Sequence, residues 1–194
     1  MDLTRIGKFA DSISECNLAF LQEHKLPNGL SFPPSYADFA IKYGWGRLCE
    51  LFLIYIPLPL HDGQYPDSWE VRSRVIKERM NDFYSSDECV SGNWSFVFEP
   101  DGSPDLTEYA IPFAMSENGD YLIWDTRNPD EHGEFPIYLI APRFSGNIYC
   151  GKNLAEFVDY AVNRFFEHTD GATALTATFE PFVFCEKTGY YTAV

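Results

Sequence analysis

The chain has 194 residues, 45% of them hydrophobic and 17% aromatic, which suffices for one domain with a sizeable core and excludes a disordered chain. The formal net charge is −15; residues 1–94 contribute −4 (9 Lys/Arg against 13 Asp/Glu) and residues 95–194 contribute −11 (5 against 16). Such a surface repels phosphate backbones and anionic lipid, so neither nucleic acid nor a membrane surface is expected as a direct ligand, whereas a basic protein partner fits.

Residues 3–24 read as an amphipathic helix, with Ile6, Phe9, Ala10 and Ile13 on one face and Phe20 and Leu21 extending it. Leu26-Pro27-Asn28-Gly29 is a turn. A second helix follows with both ends written into the sequence. Pro33 and Pro34 fix φ where a missing N–H costs nothing, and Gly44 supplies the stop. Between them Tyr36, Phe39, Ala40 and Tyr43 fall on one face of a 3.6-residue period. Residues 49–57 have the composition of a buried strand. Asp67-Ser-Trp-Glu70 has capping-box spacing and opens a third helix to about residue 84. That helix places Val75, Ile76, Met80 and Phe83 inward. It also carries the densest basic cluster of the chain, Arg72, Arg74, Lys77 and Arg79, which reads as a solvated face paired with Glu70, Glu78 and Asp82.

From Trp94 onward the period shifts toward two. Residues 94–99, 109–115, 120–125, 137–141 and 147–151 are predicted strands, and Asn118-Gly119 predicts a type I′ hairpin turn. Asn153-Leu-Ala-Glu156 is a second capping-box pattern, starting a helix with Leu154, Phe157, Val158, Ala161, Val162 and Phe165 inward. Residues 177–194 suit a late strand or a segment packed over the core. The expected fold class is α+β: a single domain with a mainly antiparallel sheet packed against several helices.

The five cysteines (Cys16, Cys49, Cys89, Cys150 and Cys185) are odd in number, widely spaced and without C-x-x-C, which argues against a disulfide framework and a structural zinc site. The first residues lack the apolar segment of a secretory signal. The longest apolar run, 51–60, is interrupted by Pro57 and Pro59 and is far shorter than the roughly 20 residues of a bilayer span. The expected location is a reducing cytoplasm.

Catalytic signatures are not found. There is no Gly-x-Ser-x-Gly, no phosphate-binding glycine loop, and no local nucleophile arrangement around His24, His61, His132 or His168. Asp130-Glu-His-Gly-Glu134 gathers three carboxylates and an imidazole, but its spacing is neither an EF-hand nor His-Glu-x-x-His, and a solvated loop explains it more simply. Asp120 and Asp125 fall on opposite faces of a regular strand, a poor arrangement for a glycosidase-like pair. No catalytic, cofactor-binding or metal-ligating residue is therefore assigned. Trp45 and Trp124 are candidates for exposed interface anchors, with core packing as the alternative.

Leu26-Pro, Phe32-Pro-Pro-Ser-Tyr-Ala-Asp-Phe-Ala-Ile-Lys-Tyr-Gly44, Ile111-Pro-Phe-Ala with Asn118-Gly-Asp-Tyr-Leu-Ile-Trp-Asp125, and the helix Leu154-Ala-Glu-Phe-Val-Asp-Tyr160 together resemble the SUKH superfamily over roughly residues 1–165. On that resemblance residues 1–194 form one SUKH-like domain, with 67–105 as an insertion and 170–194 as a C-terminal extension. The resemblance implies a non-catalytic binding protein, of the kind that acts as a bacterial immunity protein against a polymorphic or contact-dependent toxin, often a nuclease. The charge suggests how: an acidic surface caps a basic toxin domain. The surface expected to do so is Asp120, Trp124, Asp125, Asp130, Glu131 and Glu134. The alternatives are a regulatory or scaffold module with an endogenous partner and, as a third class, a carboxylate-based hydrolase.

Overall fold

The computed structural model describes residues 3–8, 16–58, 68–87, 89, 95–168, 174–185 and 190–193. In chain order the elements are β1 (Gly7–Lys8), α1 (Leu18–Glu23), α2 (Pro34–Tyr43), β2 (Gly46–Leu48), β3 (Phe52–Ile54), α3 (Trp69–Tyr84), α4 (Leu106–Tyr109), β4 (Ala110–Ser116), β5 (Tyr121–Asp125), β6 (Ile137–Ile140), β7 (Asn147–Gly151), α5 (Leu154–Asn163), β8 (Thr178–Cys185) and β9 (Tyr190–Ala193). Among the described residues the sheet has nine strands in the order β1-β8-β2-β3-β4-β5-β6-β7, with β9 on β8. Every pairing is antiparallel except β1 with β8. The fold is α+β in a single domain, as expected.

α2 begins and ends where the sequence sets it. Pro34 takes the first helical position, and Gly44, at φ 80°, closes the helix with its N–H on the Ala40 carbonyl at 3.1 Å. Tyr36, Phe39, Ala40 and Tyr43 are all buried. Phe39 and Tyr43 pack against Phe179 of β8, and Tyr36 against Phe113 and Trp124 of the central strands. α5 starts at Asn153, whose side chain accepts from the Glu156 N–H at 3.0 Å, while the Glu156 carboxylate accepts from Lys152 N–H at 2.9 Å. The return arm of the capping box thus lands one residue earlier than the pattern predicts.

Four local expectations are corrected. The N-terminal amphipathic helix shrinks to α1, capped by Asn17, whose side chain accepts from Phe20 N–H at 3.1 Å. Gly7 and Lys8 are instead a strand, held in register with Thr178 and Phe179 from the far end of the chain; Phe9, Ala10 and Ile13 lie outside the described residues. The strand predicted over 49–57 is a hairpin, β2–β3, turning at Cys49 and Glu50 with φ of 50° and 60°. Neither residue announces a turn, and the geometry is set by pairing: the Cys49 N–H bonds the Thr178 carbonyl at 2.8 Å. Residues Ser95–Phe98 form a 3₁₀ turn and not a strand; Trp94 lies outside the described residues. At the β4–β5 hairpin only Gly119 has positive φ, 94°, and its N–H reaches the Ser116 carbonyl at 3.1 Å, so the turn is type I followed by a glycine bulge, not type I′.

The third helix runs over Trp69–Tyr84 from Ser68; Asp67, the expected cap, lies outside the described residues. Its basic residues are not all a solvated face. The Lys77 ammonium donates to the carbonyls of Thr107, Glu108 and Ala110, pinning α4 and the start of β4 to α3. Burial of that ammonium pulls its pKa below the usual lysine value. Arg72 stands over the Tyr55 ring at 5.7 Å.

Candidate protein-interaction surface

The segment between β5 and β6 begins where cross-strand pairing stops at Asp125 and Thr126. The Thr126 hydroxyl donates to the Tyr109 carbonyl at 2.8 Å, tying the start of the segment to the end of α4. Arg127 folds back onto Asp125, with Nε on Oδ1 at 2.9 Å and Nη2 on Oδ2 at 2.7 Å, a fork-on-carboxylate pair. Asp125 is buried, so its charge is neutralised within the fold.

Asp130 organises the tip. Its Oδ1 accepts from the N–H groups of His132 at 2.8 Å and Glu134 at 2.9 Å, and Gly133, at φ 79°, lets the chain reverse. Those backbone donors, Glu134 first, hold the Asp130 carboxyl below the usual carboxylate range. Asp130 and Glu131 are exposed, whereas Glu134 turns inward. Glu134 Oε1 accepts from Ser35 N–H and Oε2 from the Ser35 hydroxyl, each at 2.7 Å, and the Ser35 hydroxyl in turn accepts from Leu154 N–H at 3.1 Å. One buried carboxylate thereby joins this loop to the N-termini of α2 and α5. Sequence reading missed Ser35, because nothing local to it signals a partner in the loop.

Of the six residues expected on the surface, the structure brings Asp130 and Glu131 together on the exposed tip. Asp120, Trp124, Asp125 and Glu134 are buried. Asp120 takes the hydrogen of the Ser116 hydroxyl inside the hairpin turn, and Ser116 Oγ accepts from Asp120 N–H at 2.9 Å and Asn118 N–H at 3.2 Å. Trp124 lies in the core, stacked on Phe113 with centroids 4.4 Å apart and planes 6° from parallel. Trp45 is also buried, stacked on Tyr55 at 5.5 Å. Core packing is the alternative that holds for both tryptophans. Among the described residues no cluster of three or more His, Cys, Asp or Glu is placed to hold a metal, and no helix is long and apolar enough to cross a membrane.

Burial raises the pKa of both Asp120 and Glu134, against the lowering effect of their serine partners. A raised carboxyl binds its proton more tightly in the folded than in the unfolded chain. The stability it lends is therefore complete below the unfolded pKa and is lost as pH rises through the folded one. Self-repulsion at a net charge of −15 acts in the same direction. The protein is expected to melt at a higher temperature at pH 5 than at pH 7.5, with Asp120→Asn and Glu134→Gln flattening the slope. A melting temperature that climbs with pH across this interval contradicts the assignment.

No curated protein and no solved structure matches the chain. A SUKH family model described as SMI1-KNR4 cell-wall matches residues 21–158, well over half of the chain. The match takes in α2, the β4–β5 hairpin, the acidic loop and the first turn of α5, the same units that carry the resemblance in the sequence. The chain belongs to the SUKH family described as SMI1-KNR4 cell-wall.

Proposed function

We propose that the chain is a non-catalytic binding protein that neutralises a bacterial toxin, acting in the cytoplasm as an immunity protein on a basic toxin domain. The observation that supports this most is the family match over residues 21–158. The acidic loop supports the choice of this face: a tip already organised by its own hydrogen bonds presents Asp130 and Glu131 with little ordering left to do on binding. A fixed acidic tip on the more acidic half steers a basic partner and disfavours an acidic one. Asp125, through Arg127, and Glu134, through Ser35, hold that loop from within, and Asp120 and Trp124, buried elsewhere in the sheet, do not touch the partner.

The test is co-expression with the toxin encoded beside this gene, scored by cell survival and co-purification. Rescue with a 1:1 complex is expected; loss of both sinks the reading and favours a regulatory module with an endogenous partner. Asp130→Asn with Glu131→Lys keeps the Oδ1 acceptor of the loop while removing its charge. In 50 mM salt the pair is expected to slow association by about tenfold and to flatten its salt dependence. An unchanged on-rate removes the loop from the interface.

A further inference from the structure

On one side the sheet ends at β6 and β7, and the register sets the direction of their side chains. Successive residues of a strand point to opposite faces. Trp124 of β5 meets Tyr36 of α2, so Ile123 points away from α2. The pairing carries that direction from Ile123 to Tyr138 of β6 and on to Tyr149 of β7. Farther along the same face Tyr121 is covered: Phe144 stacks on it at 5.7 Å, and Phe83 of α3 stacks on Phe144 at 4.7 Å. Over β6 and β7 the face opens, with Tyr138 half-buried and Tyr149 37% exposed. The two rings lie across the strands from each other, 5.6 Å apart and at 69°, so each limits the rotamers of the other. Such a pair presents aromatic surface with little ordering left to do on binding.

Carboxylates prevail around these rings. The exposed Asp101 accepts from Tyr149 N–H through Oδ2 at 2.9 Å, and Glu156, exposed in the first turn of α5, acts on the Tyr149 phenol. Burial pushes both phenols above the usual tyrosine value; after it come Asp125 at Tyr138 and Glu156 at Tyr149, pushing the same way. Arg127 opposes them at Tyr138, but its guanidinium is already forked onto Asp125, and the exposed Asp105 acts on it too. Even with the exposed Lys152 counted, Asp101, Asp105, Asp125 and Glu156 outweigh the cations. The open rings therefore sit in a negative field, and Asp125 with Arg127 joins them to the root of the acidic loop. Aromatic surface edged by carboxylates suits a long basic side chain. Its stem packs on the rings, and its cation is drawn both to the ring faces and to the carboxylates. Tyrosine is also enriched among the residues that carry interface energy.

We propose that this open face is a docking patch for a basic segment of the protein partner. A lysine or arginine stem of that segment lies across Tyr138 and Tyr149 while its charge meets Asp101 and Glu156. This rests on the reading of the chain as a binder of a basic protein and gives that reading a second contact beside the acidic loop.

The probe is the capped peptide acetyl-Gly-Arg-Gly-Arg-Gly-amide, with its aspartate counterpart as control, titrated at low salt into the full chain carrying 3-fluorotyrosine. Tyr138→Phe and Tyr149→Phe assign the two ¹⁹F signals. The arginine peptide is expected to move both saturably and to leave those of the buried Tyr36 and Tyr43 in place. Asp101→Asn with Glu156→Gln keeps the oxygens that accept from the backbone and should weaken the peptide by about tenfold. Signals that stay put, equal movement by the aspartate peptide, or indifference to those two substitutions overturns the proposal. With the toxin encoded beside this gene, Tyr138→Thr with Tyr149→Thr should lower affinity by at least about thirtyfold. The double phenylalanine variant keeps the rings and should bind within about threefold of the parent. Threonine suits a strand, and a melting temperature close to the parent's verifies that this variant is folded. If the toxin is neutralised and holds the threonine variant as tightly, the patch fails and the functional reading stands. If the peptide docks as expected and no toxin is neutralised, the patch stands and that reading falls.

Discussion

Trp124→Ala is expected to destabilise the protein by about 3–5 kcal/mol, the range for truncating a fully buried aromatic in a close-packed core. Trp124 is 1% exposed and sits in the middle strand of three, with Ile111 and Ile137 as its cross-strand partners. Beside the Phe113 stack it meets Tyr36 edge-on at 4.9 Å and Phe32 at 6.3 Å. Its removal leaves a cavity where α2 and the central strands share side chains, and backbone held in ladders on both sides cannot collapse to fill it. In urea, with a slope of about 2 kcal/mol/M, the midpoint should fall by roughly 2 M at unchanged slope. Trp124→Phe keeps the stack on Phe113 and should cost less than half as much. The measurement also separates two roles for this residue. An interface anchor in an exposed position would lose partner affinity and leave stability within about 0.5 kcal/mol. A midpoint that hardly moves would place Trp124 outside the core.

The parts of the fold legible in the sequence are those whose signals are local. α2 is bounded by Pro34 and Gly44, α5 is capped by Asn153, and β7 is set off by Gly146 and Gly151 in an alternating stretch; each needs only its near neighbours to form. The parts that escaped are made by pairing across the chain. Gly7-Lys8 is a strand because Thr178-Phe179 offers it an edge, and Cys49-Glu50 turns with positive φ because Leu48 and Phe52 are already paired. The same division runs through the candidate surface. The carboxylates of the loop stand out in the sequence as a charge cluster, but which of them faces solvent depends on Ser35, 99 residues earlier. Periodicity also cannot place Trp124, because β5 is buried on both faces and offers no alternation to read.

Glu134→Ala is expected to cost about 2–4 kcal/mol, because it removes a charged acceptor from a buried network and leaves its donors unpaired. α2 starts after a proline with no side-chain cap of its own, so the N–H of Ser35, its second residue, depends on a carboxylate delivered by the loop. Ser35 then passes the connection to Leu154 N–H at the first residue of α5. Ser35→Ala breaks the hydroxyl links to Glu134 and Leu154 but keeps the backbone bond, and should cost about 1–2 kcal/mol. Glu134→Gln keeps the shape and one acceptor, and belongs between the two. Since both residues act through one hydrogen-bonded unit, the double variant should cost less than the sum of the singles, with a coupling of about 1–2 kcal/mol in a cycle of denaturation midpoints. Additive losses would mean that Glu134 and Ser35 act separately. The coupling bears on binding as well. A loop anchored through Glu134 keeps Asp130 and Glu131 at a fixed place, so, on the proposed function, Glu134→Gln should speed dissociation of the proposed basic partner while association, which would depend on the exposed charges, stays the same.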